Sequence, residues 1–336
     1  MKVALMLLLS SFYGINSSLA YNIDQSKISV SGISSGSYMA GQLHVALSGT
    51  FSGVGLVAGG PYYCSQGSVL TALTGCMNIS RPVDVNPAVD LVKQLSESGD
   101  IDNYENLKND RVFALSGTYD RTVSRDAVLS AVDFYKALEL PNESFHVETE
   151  LPAGHTFPTE NYGNDCSTAS QSPYISKCEY DGAGMILKHI YGELNAKTTA
   201  VESHFLLMSQ NRRGADEINP SSISMDSEAL VYVPERCKQG HSCKLHVALH
   251  GCQQYKQKIG DQFIRNAGYN EWAEANDMIV LYPQTISQTI NNPNGCWDWW
   301  GYTDAKFHTQ SGSQIQVIKS MIDQLSRPEM TLSSHQ

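Results

Sequence analysis

Residues 27–30 read as a short strand, Gly32-Ile33-Ser34-Ser35-Gly36 follows as a turn, and a helical pattern over 37–47 begins at once. A strand that gives way to a helix across one tight turn demands a layered sheet-and-helix architecture. The alternation continues along the chain. Residues 54–58, 112–115 and 145–151 read as strands, with helices over 85–98 and 122–138. Beyond a Gly-, Ser- and Asn-rich region that bears cysteines, 230–233, 245–249 and 278–282 read as strands, with helices over 269–276 and 315–325. The expected fold class is α/β: a mostly parallel sheet with helices on both faces. Hydrophobic residues make up 41% and charged residues 17% of the 336, so there is ample core material, and neither a disordered chain nor a coiled coil fits.

Residues 1–20 read as a targeting leader. Lys2 supplies the positive start, residues 3–9 the apolar run, and Ser18-Leu19-Ala20 the small cleavage residues. That run is too short to cross a bilayer, and no later stretch approaches about 18 apolar residues. A secreted chain without a membrane partner is expected, with residues 21–336 as one domain. All 8 cysteines lie after the leader, which suits a disulfide framework in an oxidising compartment. Nearest-neighbour pairing gives Cys64–Cys76, Cys166–Cys178, Cys237–Cys243 and Cys252–Cys296. Cys-x2-Cys spacing is absent, so no metal is expected, and His241, His246 and His250 do not change that reading. A net charge of −11 argues against a nucleic-acid partner. Asn78 and Asn142 head Asn-x-Ser sequons, which matter only in a host that glycosylates.

Three motifs each follow their own strand. Gly-x-Ser-x-Gly between strand and helix is a nucleophile elbow, with Ser34 projecting above the sheet. Asp120 closes Ser116-Gly117-Thr118-Tyr119-Asp120, where an acid can orient a histidine. His155 ends Pro152-Ala153-Gly154-His155. Taken singly, these are a Gly/Ser loop, a turn residue and a loop histidine. Taken together, Ser34, Asp120, His155 is the chain order of α/β-hydrolase triads. The Ser35 backbone N–H supplies one oxyanion donor, and a second is expected from Leu249-His250-Gly251-Cys252. In ordinary α/β-hydrolases the strand before such a loop precedes the nucleophile, so a circularly permuted fold is expected.

These residues carry a resemblance over most of the chain after the leader. The chain resembles the secreted, single-domain poly(3-hydroxybutyrate) depolymerases, circularly permuted α/β-hydrolases related to polyester and feruloyl-type esterases. The match includes the Ser34 elbow, Asp120, Gly-His-Thr-Phe-Pro at His155, and His250-Gly251-Cys252. It continues through residues 279–284 and Asn294-Gly295-Cys296-Trp297-Asp298-Trp299-Trp300. The resemblance implies Ser34, Asp120 and His155 as triad and the Cys252 N–H as oxyanion donor. It also implies a tryptophan lining the substrate crevice, Trp299 before Trp300 and with Trp297 the remaining candidate. The substrate is then a polyester or small ester, cleaved by a monomer that needs no cofactor. One departure is that no Thr-rich linker or appended polymer-binding domain is read. A feruloyl- or acetyl-type carbohydrate esterase, or a non-catalytic polymer-binding hydrolase fold, are the competing readings.

Overall fold

The structure is a computed structural model describing residues 20–168, 170–212 and 217–326. The expected leader, Ala20 apart, lies outside the described residues. Among the described residues, eleven strands follow in chain order: β1 Ile23–Ile33, β2 Gly53–Val57, β3 Arg111–Leu115, β4 Phe145–Glu148, β5 Phe157–Thr159, β6 Asn164–Asp165, β7 Ile175–Lys177, β8 Phe205–Ser209, β9 Glu228–Tyr232, β10 Cys243–Leu249 and β11 Met278–Tyr282.

Eight of them form one sheet in the order β4-β3-β2-β1-β10-β11-β9-β8. Pairing is parallel from β4 through β11, and antiparallel from β11 to β9 and from β9 to β8. Every residue of β2 and of β11 is buried, as expected of parallel strands covered on both faces. Side chains alternate between two cores across the sheet. Leu245, Val247, Leu249, Ile279 and Leu281 join Met39 and Leu43 of helix α1 (Ser35–Ala46) and Ile318 of the helix Ser313–Ser326. On the other face, Met278, Val280 and Tyr282 meet Ile186 of the helix Gly182–Tyr191 and Trp272 of the helix Tyr269–Ala275.

The topology is that of a permuted α/β-hydrolase. β1 lies mid-sheet, the strands that follow it in sequence lie on one side, and those on the other side come from the C-terminal half. A small parallel sheet, β5-β7-β6, sits apart from the main one. Several boundaries differ from the sequence reading: the first strand, read over 27–30, runs Ile23–Ile33, most others move by one to three residues, and two differences have a visible cause. The third-strand helix starts at Arg125 and not at residue 122, because the Asp120 carboxylate draws the Thr122 and Val123 N–H groups into a turn at 2.8 and 2.9 Å. The strand expected over 145–151 stops at Glu148, and the remainder leads to the His155 loop.

Disulfides join Cys64 to Cys76, Cys166 to Cys178, Cys237 to Cys243 and Cys252 to Cys296. Among the described residues, no helix is long and apolar enough to cross a membrane.

Candidate active site

Ser34 stands between β1 and α1 with φ 56° and ψ −123°, a backbone that side-chain-bearing residues rarely adopt. Its N–H donates to Val57 O of the neighbouring strand at 2.9 Å, and its carbonyl accepts from Ser37 N–H at 2.8 Å. The flanking glycines are needed for space. A Cβ on Gly32 would lie 2.2 Å from Gly36 O, and one on Gly36 would lie 2.4 Å from His250 O. That close approach sets the end of β10 against the elbow. The Ser35 N–H opens α1, where no preceding turn accepts it and the helix dipole favours negative charge.

Asp120 and His155 follow β3 and β4 at the same edge of the sheet, each almost fully buried. His155 Nδ1 donates to Asp120 Oδ2 at 2.8 Å, while Oδ1 takes the Thr122 and Val123 N–H groups. A carboxylate held on both oxygens keeps the ring in one orientation, with Nε2 left to accept a proton. The two loops are laced together: Thr118 N–H donates to Leu151 O at 2.9 Å and Tyr119 N–H to Ala153 O at 3.0 Å.

The loop after β10 is set by His250. The Gly251 carbonyl can only accept, so His250 Nδ1, 2.7 Å away, carries the hydrogen, and Nε2 accepts the Thr285 N–H at 3.3 Å. Burial pushes this imidazole down to about 4, so it stays neutral. With the Gly251 carbonyl held, planarity of the trans peptide aims the Cys252 N–H the opposite way. A Cβ on Gly251 would lie 3.3 Å from the Ser34 Cβ, so this peptide borders the nucleophile position.

The three tryptophans part company. Trp297 is wholly buried and donates its Nε1–H to His250 O at 2.9 Å, so its ring has no surface for a substrate, contrary to its place among the crevice candidates. Trp299, 5% exposed, stacks on Tyr38 with centroids 3.9 Å apart. Half-buried Trp300 meets Trp299 edge-on at 5.8 Å. The Asp120 charge reaches Tyr38, whose hydroxyl is pushed upward mainly by burial and then by that carboxylate. Tyr38 sits one turn into α1, its N–H donating to Ser34 O at 3.1 Å, so Trp299 stacked on it, and Trp300 beside that, lie near the Ser34 elbow.

A poly(3-hydroxybutyrate) depolymerase of Delftia acidovorans is 40% identical over 315 residues, which cover 91% of this chain and 61% of that protein. A polyhydroxybutyrate depolymerase of Talaromyces funiculosus is 39% identical over 322 residues, 91% of each chain. The chain belongs to the polyhydroxybutyrate depolymerase family. Two solved depolymerase structures match it at 38% identity, covering 91% of this chain and 97% of theirs. One, from Penicillium funiculosum, gives a TM-score of 0.82; the other, a serine-to-alanine variant complexed with an R3HB trimer, gives 0.83. No protein-family model matches. The chain spans 61% of the length of the Delftia depolymerase.

Within this depolymerase fold, sequence reasoning missed Tyr38 and Asp298. Asp298 is buried, and its two oxygens accept the N–H groups of Gly301, Tyr302 and Thr303 and the Thr303 hydroxyl. It folds the loop that presents Trp299 and Trp300. The Asp between the tryptophans in Trp297-Asp298-Trp299 was the available signal.

Proposed function

We propose that this chain is a secreted serine esterase that hydrolyses poly(3-hydroxybutyrate) through an acyl-enzyme. The observation that carries it is the Asp120–His155 pair, bonded at 2.8 Å at the sheet edge where the Ser34 elbow stands. Ser34 Oγ attacks the ester carbonyl as His155 Nε2 takes its proton, and Asp120 holds the imidazole tautomer. The Ser35 and Cys252 N–H groups receive the tetrahedral oxyanion, worth about 3–4 kcal/mol per donor. Collapse expels the alcohol end of the cleaved chain, which takes the proton from His155. Water then attacks the acyl-enzyme with His155 again as base, releasing the acid and restoring Ser34. A serine-to-alanine depolymerase that retains an R3HB trimer supports this assignment.

The polyester, more than a feruloyl or acetyl ester, is favoured by the family and by an apolar outer surface. Val69, Leu70 and Leu73 are exposed on the segment whose Ala72 and Cys76 pack with Tyr38 and Trp299. An apolar polyester chain gains by covering such a surface. Residues 21–336 act as one catalytic domain, a monomer without cofactor, exported by residues 1–20; the four disulfides support the export. The test is clearing of a poly(3-hydroxybutyrate) suspension beside hydrolysis of feruloyl and acetyl esters. Clearing with poor turnover of the sugar esters is expected. Efficient feruloyl or acetyl turnover without clearing overturns the substrate.

A further inference from the structure

We propose that Gln254 is a positioning residue for the reaction: its side-chain amide ties the oxyanion loop to the histidine loop and so fixes where the Cys252 N–H points relative to His155. This rests on the reading of that N–H as an oxyanion donor. Gln254 is 2% exposed and uses its whole amide. Oε1 accepts the Gly251 N–H at 2.7 Å, while Nε2 donates to Pro173 O at 3.1 Å and Tyr174 O at 3.0 Å. Tyr174 O in turn accepts the Phe157 N–H at 2.9 Å, two residues beyond His155. One buried amide thereby joins the oxyanion loop to a segment some 80 residues away, and that segment in turn holds the backbone just beyond His155.

The placement is tight. Gly251 lies between Gln254 and the nucleophile: a Cβ there would sit 2.9 Å from Gln254 Oε1 on one side and 3.3 Å from the Ser34 Cβ on the other. The peptide that follows Gly251 is the one whose N–H faces the oxyanion. His250 fixes the plane of that peptide through the Gly251 carbonyl, and Gln254 adds its own N–H to the same carbonyl at 3.2 Å. Gln254 thus grips both polar groups of Gly251, the N–H with its side chain and the carbonyl with its backbone. A buried amide bonded at all its positions costs little to bury, whereas removing it strands one N–H and leaves two carbonyls short of a donor. Freed of the tie, the loop shifts by a fraction of an ångström, which the oxyanion senses more than the ground-state ester does.

Two variants separate positioning from packing. Gln254→Leu removes every side-chain bond at similar size. Gln254→Glu keeps an acceptor for Gly251 but loses the donors to Pro173 and Tyr174, so it tests the tie if the leucine variant does not fold. Each is assayed well below its melting temperature on a soluble (R)-3-hydroxybutyrate trimer and with an alkylboronic acid, which forms a tetrahedral adduct on a serine. We expect kcat to fall roughly 10- to 100-fold with KM within about twofold, and boronate affinity to weaken in parallel. A folded variant with lowered melting temperature but unchanged kcat and boronate affinity overturns the proposal. If the wild-type protein itself fails to bind the boronate at Ser34, the proposed function fails instead.

Discussion

Among the described residues, burial pushes four imidazoles down: His189, and furthest His246 to about 3 and His250 and His308 to about 4. A folded value below the unfolded one, about 6.5, means the unfolded chain takes up protons first as the medium acidifies. Stability is therefore full above that value and is lost as pH falls toward each folded value. His246 isolates the effect, because its two ring nitrogens bond neutral hydroxyls, Ser29 and Ser31 of the neighbouring strand, at 2.7 and 2.8 Å. His246→Gln should flatten the dependence of unfolding free energy on pH near 5 by about 1.4 kcal/mol per pH unit, read from urea midpoints. Equal slopes would mean that this ring titrates alike in both states. The tryptophans give a second contrast. Trp297→Ala should cost about 3–5 kcal/mol of stability, since it empties a buried site. Trp300→Ala should leave the melting temperature nearly unchanged and raise KM for the trimer roughly 2- to 10-fold. Reversal of those outcomes would exchange the two roles. The candidate triad Ser34, Asp120 and His155 could be picked out in the sequence because each lies on the loop after its own strand and their order matches that of α/β-hydrolase triads. Gln254 was not, because its partners Pro173 and Tyr174 are brought to it only by folding.

Strands buried on both faces announced themselves: Met278–Tyr282 stands as the run of apolar residues indicated. The helix Gly182–Tyr191 did not, for it opens with two glycines, which local propensity disfavours. Tertiary space requires both, since a Cβ on Gly182 would lie 2.6 Å from Pro158 O, and one on Gly184 2.6 Å from both the Trp272 Nε1 and the Asp181 carboxylate that caps the helix. The strands β5 to β7 were equally hidden, at two or three residues each. The element that carries most functional consequence is the Cys252–Cys296 bridge, which closes 44 positions and joins the oxyanion loop to the tryptophan loop. Chain entropy assigns it about 4 kcal/mol of stability. Replacing both cysteines with Ser should lower the melting temperature and also lower kcat in assays well below it, because the donor loses its frame. Unchanged kcat would leave the bridge a staple only.

At the scale of the whole molecule, the permuted topology converges separate stretches of chain on one sheet edge. The proposed nucleophile Ser34 follows the first strand, the proposed acid and base Asp120 and His155 the third and fourth, and the proposed oxyanion loop the tenth. The tryptophan loop follows the last strand, and the Cys252–Cys296 bridge and the contacts of Trp297 with His250 and Ser35 draw it to the same place. No local pattern encodes that convergence, so the overall architecture followed from strand order and chain order together. The account stands on Ser34 as nucleophile. Turnover of the (R)-3-hydroxybutyrate trimer by the wild-type protein and by Ser34→Ala, with both shown folded by equal melting temperatures, tests it most directly. We expect release of 3-hydroxybutyrate by the wild type and a loss of about 10³- to 10⁶-fold in kcat for the variant. A folded Ser34→Ala protein that cleaves the trimer near the wild-type rate would contradict it.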